Sequence, residues 1–266
     1  MTDFIDMLNK PNAAAGDYTG ADGLLYCGKC HMPKQMRGSG VLAGKMLSIN
    51  CSCKEAELQA AELAEKQKRV EALRVRCLPV VSMHSCVFST AGDERHIEIA
   101  RRYVEHWDRI LAENMGLLFW GNTGTGKTYA ALCIANALID REIPVYYTTA
   151  VDLIAKLMNR ETRRGDLMEK LRKAPLLIID DVGAERDSPY SREQIGAVID
   201  ARTQSNRPLI VTTNYTLNEM RDRNNPMQRT FDRLSGCVPV SVIGESKRIA
   251  VGARKGQQLR ELLALD

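Results

Sequence analysis

The run Gly116-Leu117-Leu118-Phe119-Trp120 leads without a break into Gly121-Asn122-Thr123-Gly124-Thr125-Gly126-Lys127-Thr128, and an alanine-rich segment from Tyr129 to Leu138 follows. This reads as an apolar strand, a glycine-rich turn and a helix. A turn can wrap an anion only if its backbone N–H groups point inward and no side chain blocks the approach, which glycines at 121, 124 and 126 allow. The helix presents the positive end of its dipole to the same point. The spacing is G-x-x-x-x-G-K-T, a phosphate loop, and not the G-x-G-x-x-G of a dinucleotide-binding turn. The expected ligand is a nucleoside triphosphate with Mg²⁺. Residues 121–128 would cradle the phosphates, Lys127 would lie along the β- and γ-phosphates, and the Thr128 hydroxyl would hold the metal.

Downstream, apolar runs alternate with helical patterns. Pro144–Thr149 reads as a strand and Val151–Met158 as a helix with apolar residues at i, i+3 and i+4. Pro175-Leu176-Leu177-Ile178-Ile179-Asp180-Asp181 is continuous in apolar residues, as a strand buried on both faces should be. Acids at its C-terminal end fall in the crevice where open α/β sheets bind ligands. Asp180 is expected to reach Mg²⁺ through water and Asp181 to polarise the attacking water. Ser191–Gln204 reads as a helix, and Arg207–Asn214 as a strand that brings Asn214 toward the γ-phosphate or the water. Val238–Ile243 completes five strands alternating with helices, a doubly wound parallel α/β sheet.

At 266 residues the chain exceeds one typical domain, and its texture changes near Ala91-Gly92. Residues 1–53 are expected to form a small metal-bearing unit, 54–92 a charged helix and linker, and 93–266 the nucleotide-binding domain. Cys27-Gly28-Lys29-Cys30 and Cys51-Ser52-Cys53 suit a tetrahedral Zn²⁺ site in a piece too small to hold a core by burial. The second gap is tighter than usual, so His31 is an alternative ligand. Cys27-x-x-Cys30-His31 also matches a c-type haem attachment, but the acidic start Met1–Asp6 carries no export signal and zinc is preferred. Cys77, Cys86, Cys133 and Cys237 stand apart and read as small buried hydrophobes. Eight cysteines without an export signal, and no membrane-length apolar run, point to reduced thiols in the cytoplasm. Lys54–Arg76 has many good helix formers and no Gly or Pro, so one charged helix is expected there.

The combination GNTGTGKT (121–128), LLIIDDVGAE (176–185), TTN (212–214), FDRL (231–234) and GESKR (244–248) resembles the AAA+ ATPases of the helicase-loader branch, the DnaC, DnaI and IstB type, over about residues 93–250. LLYCGKCHMPKQ (24–35) is similar to zinc-bearing N-terminal regions of some loaders. The resemblance implies ATP as ligand, Asn214 as sensor 1, Arg233 as an arginine finger acting on a neighbour's nucleotide, Arg229 as a second candidate, and Arg248 as sensor 2. It implies self-association into an AAA+ oligomer, a hexameric replicative DNA helicase as partner, and no separate lid domain. Asp181 departs from the family's usual Glu and is shorter by a methylene, so slow or assembly-dependent hydrolysis is expected; Glu185 is a weaker substitute. An IstB-type transposition helper and a nucleotide-dependent adaptor with little hydrolysis are the alternatives.

Net charge is +4, too small by itself to imply nucleic acid. Lys156, Arg160, Arg163, Arg164, Lys170, Arg172 and Lys173 nevertheless cluster between the second and third strands of the nucleotide-binding domain, and Lys247–Arg260 forms a second basic run. For the first cluster the family implies a single-stranded DNA channel, for which a basic groove is the physical requirement.

Overall fold

The chain divides into two compact units, Met1–Arg69 and Val70–Asp266; the computed structural model describes residues 13–159, 161–185, 188–263 and 265, without the side chains of 250, 251 and 254. The acidic start Met1–Asp6, Arg160 and the Arg254 side chain lie outside the described residues.

The N-terminal unit is two short antiparallel hairpins and the start of a helix. Tyr18–Thr19 (β1) pairs with Leu25–Tyr26 (β2), and Gln35–Arg37 (β3) with Met46–Ser48 (β4). Among described residues 13–69 only Cys27, Lys34 and Cys51 are buried, so there is no apolar core of the usual kind. Lys34 Nζ donates to Asp17 Oδ2 at 2.6 Å. Ser52–Cys77 forms one helix (α1), a residue or two longer at each end than the sequence reading. Its exposed stretch carries the local pairs Lys54–Glu57 and Glu65–Arg69, as an isolated helix surface should.

In the larger unit, Arg95–Glu105 (α2) and Trp107–Ala112 (α3) precede Gly116–Trp120 (β5), and Lys127–Asp140 (α4) leaves the glycine loop. Then come Val145–Thr149 (β6), Ala150–Met158 (α5), Arg164–Lys173 (α6), Leu176–Val182 (β7), Pro189–Gln204 (α7), Leu209–Thr213 (β8), Leu217–Arg221 (α8), Gln228–Asp232 (α9), Cys237–Ser241 (β9) and Lys247–Leu262 (α10). The five strands expected from the sequence form one parallel sheet in the order β6-β7-β8-β5-β9. Side chains alternate across it. Leu117, Phe119, Ile178 and Ile210 join α2–α4 on one face; Leu118, Ile179 and Val211 join α5–α9 on the other. This two-sided burial explains why the strands read as continuous apolar runs.

Residues 78–91 depart from their expected place in a linker. Leu78 is buried, and Met83, Cys86, Phe88 and Ala91 pack on the core around α4. Buried Asn136 on α4 holds the segment: its Nδ2 donates to the Met83 and Cys86 carbonyls at 2.9 Å, and its Oδ1 accepts from Arg74 Nε at 3.2 Å. The segment has neither helical nor strand period, so its docking left no pattern to read.

Arg202 on α7 is 1% exposed, and its guanidinium donates to the carbonyls of Leu171, Arg172, Ala174, Pro175 and Pro208 at 2.7–3.1 Å. It gathers the loop before β7 and the turn before β8, so both strands start in register. Burial pulls its pKa down to about 9, the direction expected of a cation without a carboxylate. Arg202→Met keeps the volume but strands these carbonyls, and should cost about 3–5 kcal/mol, measured as unfolding free energy in urea.

Candidate functional site

The phosphate loop crosses from β5 to α4 with Gly121, Gly124 and Gly126 at φ of +135°, +81° and +110°. At Gly121 a Cβ would stand 2.4 Å from Val242 O, so only glycine lets the loop pass the end of β9. Thr125 Oγ1 donates to Val242 O at 2.8 Å and fixes the loop from behind. Lys127 is buried; its Nζ donates to the Gly121 and Asn122 carbonyls at 2.8 and 2.6 Å. Burial lowers its pKa against the attraction of Asp181 and Asp180.

Asp180 ends the continuous apolar part of β7 and is 5% exposed. Three hydroxyls converge on its carboxylate: Thr128 Oγ1 at 2.9 and 3.1 Å, Tyr147 OH at 2.8 Å and Thr212 Oγ1 at 2.6 Å. The Thr128–Asp180 pair offers a hydroxyl and a carboxylate to one Mg²⁺, hard oxygen donors of the kind that ion takes. The pairing of β7 with β8 shifts register between Ile179 and Val182, and within that shift Asp181 has φ +56°. Asp181 N donates to Thr212 Oγ1, and Asp181 Oδ1 accepts from Asn214 Nδ2, both at 2.8 Å. With this irregularity two consecutive acids line one cavity, where a regular strand would send neighbouring side chains to opposite faces.

These groups open on a cavity of about 500 Å³ lined by Thr123, Gly124, Gly126, Lys127, Thr128, Asp180, Asp181, Asn214 and Arg248. Its remaining wall is Cys86, Thr90, Ala91, Gly92, Tyr129, Leu132 and Lys247. The sequence reading missed that wall, along with Tyr147 and Thr212. Tyr147 is a buried phenol in β6, a strand whose Tyr146 and Thr149 are only half-buried, so little in the chain singles it out.

Arg233 stands elsewhere. Its Nε donates to both Asp200 carboxylate oxygens at 2.8 Å and its Nη1 to Arg229 O at 3.0 Å, with the guanidinium against Gly196 of α7. It does not line the cavity at the phosphate loop. Glu185 accepts from Gly183 N at 2.7 Å and belongs to the loop after β7. Of the first basic cluster, Arg164 is tied to Gln194 at 2.5 Å, Lys173 to Glu169, and Lys156 lies over the Tyr146 ring; Arg163 and Lys170 are exposed.

In the N-terminal unit the Sγ atoms of Cys27, Cys30 and Cys53 lie within 4.8 Å of one another. Cys51 is buried nearby but is not one of that group of three; against the Lys54 N–H, burial and the Cys27 and Cys30 thiols push its pKa up. The Ser52 hydroxyl, then the N–H groups of Cys53 and Met32, hold the Cys30 pKa down at about 5, toward the thiolate that binds metal. Cys53 sits in the first turn of α1, so the one-residue gap after Cys51 is spanned by the start of a helix. His31 is not part of the cluster. Its φ is +54°, closing the turn after Cys30, and its Nδ1 meets Tyr18 OH at 3.2 Å. His31, like Cys51, lies outside that group of three thiols, and its backbone turns the chain. All eight cysteines are free thiols.

Residues 55–252 match the family of IstB-like ATP-binding proteins. The chain belongs to that family. It is 31% identical over 206 residues to the insertion sequence IS5376 putative ATP-binding protein of Geobacillus stearothermophilus, covering 73% of this chain and 78% of that one. It is 32% identical over 133 residues to the replicative helicase loader DnaC of Escherichia coli K12, covering 48% of this chain; the match spans about half, 53%, of that relative's length. The fold matches the solved structure of the DnaC helicase loader at a TM-score of 0.53 and 22% identity, over 62% of this chain and all of that one. It matches DnaI at the same TM-score and identity, over 62% of this chain and 92% of that one. Among the described residues no helix is long and apolar enough to cross a membrane.

Proposed function

We propose that this IstB-family member is an ATP-dependent loader that puts a hexameric replicative DNA helicase onto single-stranded DNA, working as an AAA+ oligomer. The observation that carries the nucleotide chemistry is the Thr128–Asp180 pair beside Lys127, with Asp181 and Asn214 at the same cavity. In this reading the loop amides and Lys127 bind the phosphates of ATP, and Thr128 and Asp180 hold Mg²⁺, which offsets charge on the phosphates. Asn214 and Asp181, hydrogen-bonded to each other, orient the attacking water. Asp181 reaches less far than a glutamate would, so turnover is slow. Arg248 lines the cavity in cis and completes the phosphate contacts.

Arg233 supplies the finger in trans, with Arg229 one turn away as the second candidate. Held by Asp200 on its own subunit's surface, it is presented to a neighbour. Arg233→Ala should leave ATP binding intact and reduce turnover stimulated by helicase and DNA by a factor on the order of 10³ or more. Unchanged stimulated turnover refutes a trans site. The exposed cations of α5 and α6 bind the DNA backbone weakly and in a salt-sensitive way.

The thiol cluster, as a Zn²⁺ site formed by Cys27, Cys30, Cys51 and Cys53, shapes the surface that grips the helicase. A second reading, a transposition helper, is favoured by the long match to the insertion-sequence relative. Copurification with a replicative helicase supports the loader, and capture of a transposase supports the helper. A chain that binds ATP yet shows no turnover with helicase and DNA is an adaptor.

A further inference from the structure

Lys247, the first residue of α10, donates its backbone N–H to Gly124 O at 2.9 Å, which seats that helix on the phosphate loop. Its ammonium lies beside Gly126, 4.0 Å from where a Cβ would stand, and lines the nucleotide cavity. It is paired with Glu94, the residue that caps the start of α2, and with Glu94 and His96 it also lines an adjoining cleft beside the loop. Lys247 holds the Glu94 carboxyl below the usual carboxylate range, so the acid is ionised when the pair forms. The arrangement is incomplete. Glu94 Oε2 is buried without a hydrogen-bond partner, and so is His96 Nε2, which reaches within 3.2 Å of the same point over Gly126. Buried polar atoms are ordinarily satisfied, so two orphans beside a phosphate loop mark a site whose partners change.

We infer that Glu94 and Lys247 form a nucleotide-responsive clasp: Glu94 and a bound nucleotide phosphate compete for the Lys247 ammonium, and the phosphate takes it over. This rests on the ATP-binding reading above. A phosphate group offers more negative charge and more acceptor oxygens than one carboxylate. The Lys247 side chain is about half exposed and flexible, so it can exchange partners without moving α10. Release of Glu94 leaves its carboxylate beside His96. Occupancy of the site is thereby transmitted to the start of α2, 34 residues before Thr128 in sequence.

Glu94 in this scheme competes with the ligand, which a merely structural residue would not do. ATP affinity measured by fluorescence titration on the full chain should therefore tighten about two- to fivefold in Glu94→Gln, the size of a partly exposed ion pair removed. Lys247→Met should weaken it roughly fivefold or more, and Lys247→Arg should restore most of that loss. In the double variant the Glu94→Gln gain should vanish. Unchanged or weaker binding by Glu94→Gln, or a gain that survives in the Lys247→Met background, overturns the clasp while leaving ATP binding in place. Wild type that does not bind ATP, with Lys127→Ala no different, overturns the nucleotide reading itself.

Discussion

Stripping metal from the full chain with a strong chelator is expected to unfold residues 13–51 and leave the sheet of the larger unit unchanged. The reason is the missing core. Only Cys27, Lys34 and Cys51 are buried among described residues 13–69, and the hairpin strands are two and three residues long. Burial of so little apolar surface cannot offset the entropy of ordering those turns. A Zn²⁺ ion at the proposed site of Cys27, Cys30, Cys51 and Cys53 would supply it, on the scale of about 10 kcal/mol or more for a structural site. Hydrogen exchange reports the two units separately. Amides of Cys27, His31 and Lys34, bonded to the Met32, Cys27 and Leu25 carbonyls, should lose protection after chelation. Those of β5, β7 and β8 should not. Cys27→Ser should reproduce the loss, and metal analysis should find about one zinc per untreated chain. Protection at Cys27–Lys34 that persists without metal refutes the site.

Asp180→Asn should reduce ATP turnover on the order of 10³-fold, measured with helicase and DNA present, while ATP binding changes by roughly tenfold or less. Asp180 accepts hydrogen bonds from Thr128, Tyr147 and Thr212, and three hydroxyls aimed at one carboxylate require an acceptor there. An amide offers one acceptor oxygen in place of two and turns an N–H₂ toward at least one of these hydroxyls. It also removes the negative charge that Mg²⁺ needs. Lys127 and the loop amides remain, which is why binding survives better than chemistry. Tyr147→Phe makes a graded companion: it deletes one of the three donors, and turnover should fall far less. Equal losses in the two variants would mean that Asp180 matters for packing alone.

Much of this protein was legible before its structure. The phosphate loop, the five apolar runs and the acids at the end of the third run carry strong local signals, because phosphate binding and two-sided strand burial each demand particular residues at particular spacings. The family resemblance carried by 121–128, 176–185 and 212–214 agrees with the match over residues 55–252. Residues 78–91 were illegible, since their docking depends on backbone carbonyls that meet Asn136 only after α4 is in place. His31 was ambiguous because its identity suggests a ligand, whereas its positive φ, invisible in sequence, makes it a turn residue. Glu94 carries no motif that marks it, and Thr212 and Lys247 stand in TTN and GESKR without a role that those motifs assign.

The sequence by itself therefore determined the class of fold, the phosphate-binding loop, the acidic pair Asp180-Asp181 and the grouping of thiols, since each rests on neighbours along the chain or on a fixed period. Only the tertiary structure decided which side chains meet. The register shift in β7 brings Asp181 to Asn214, α10 returns to Gly124 and carries Lys247 to Glu94, and Arg202 reaches carbonyls from two separate turns. These are contacts between residues 6 to 153 positions apart in the chain. They form because close packing on a parallel sheet brings strand ends and helix starts together at one edge, and local sequence carries no record of that.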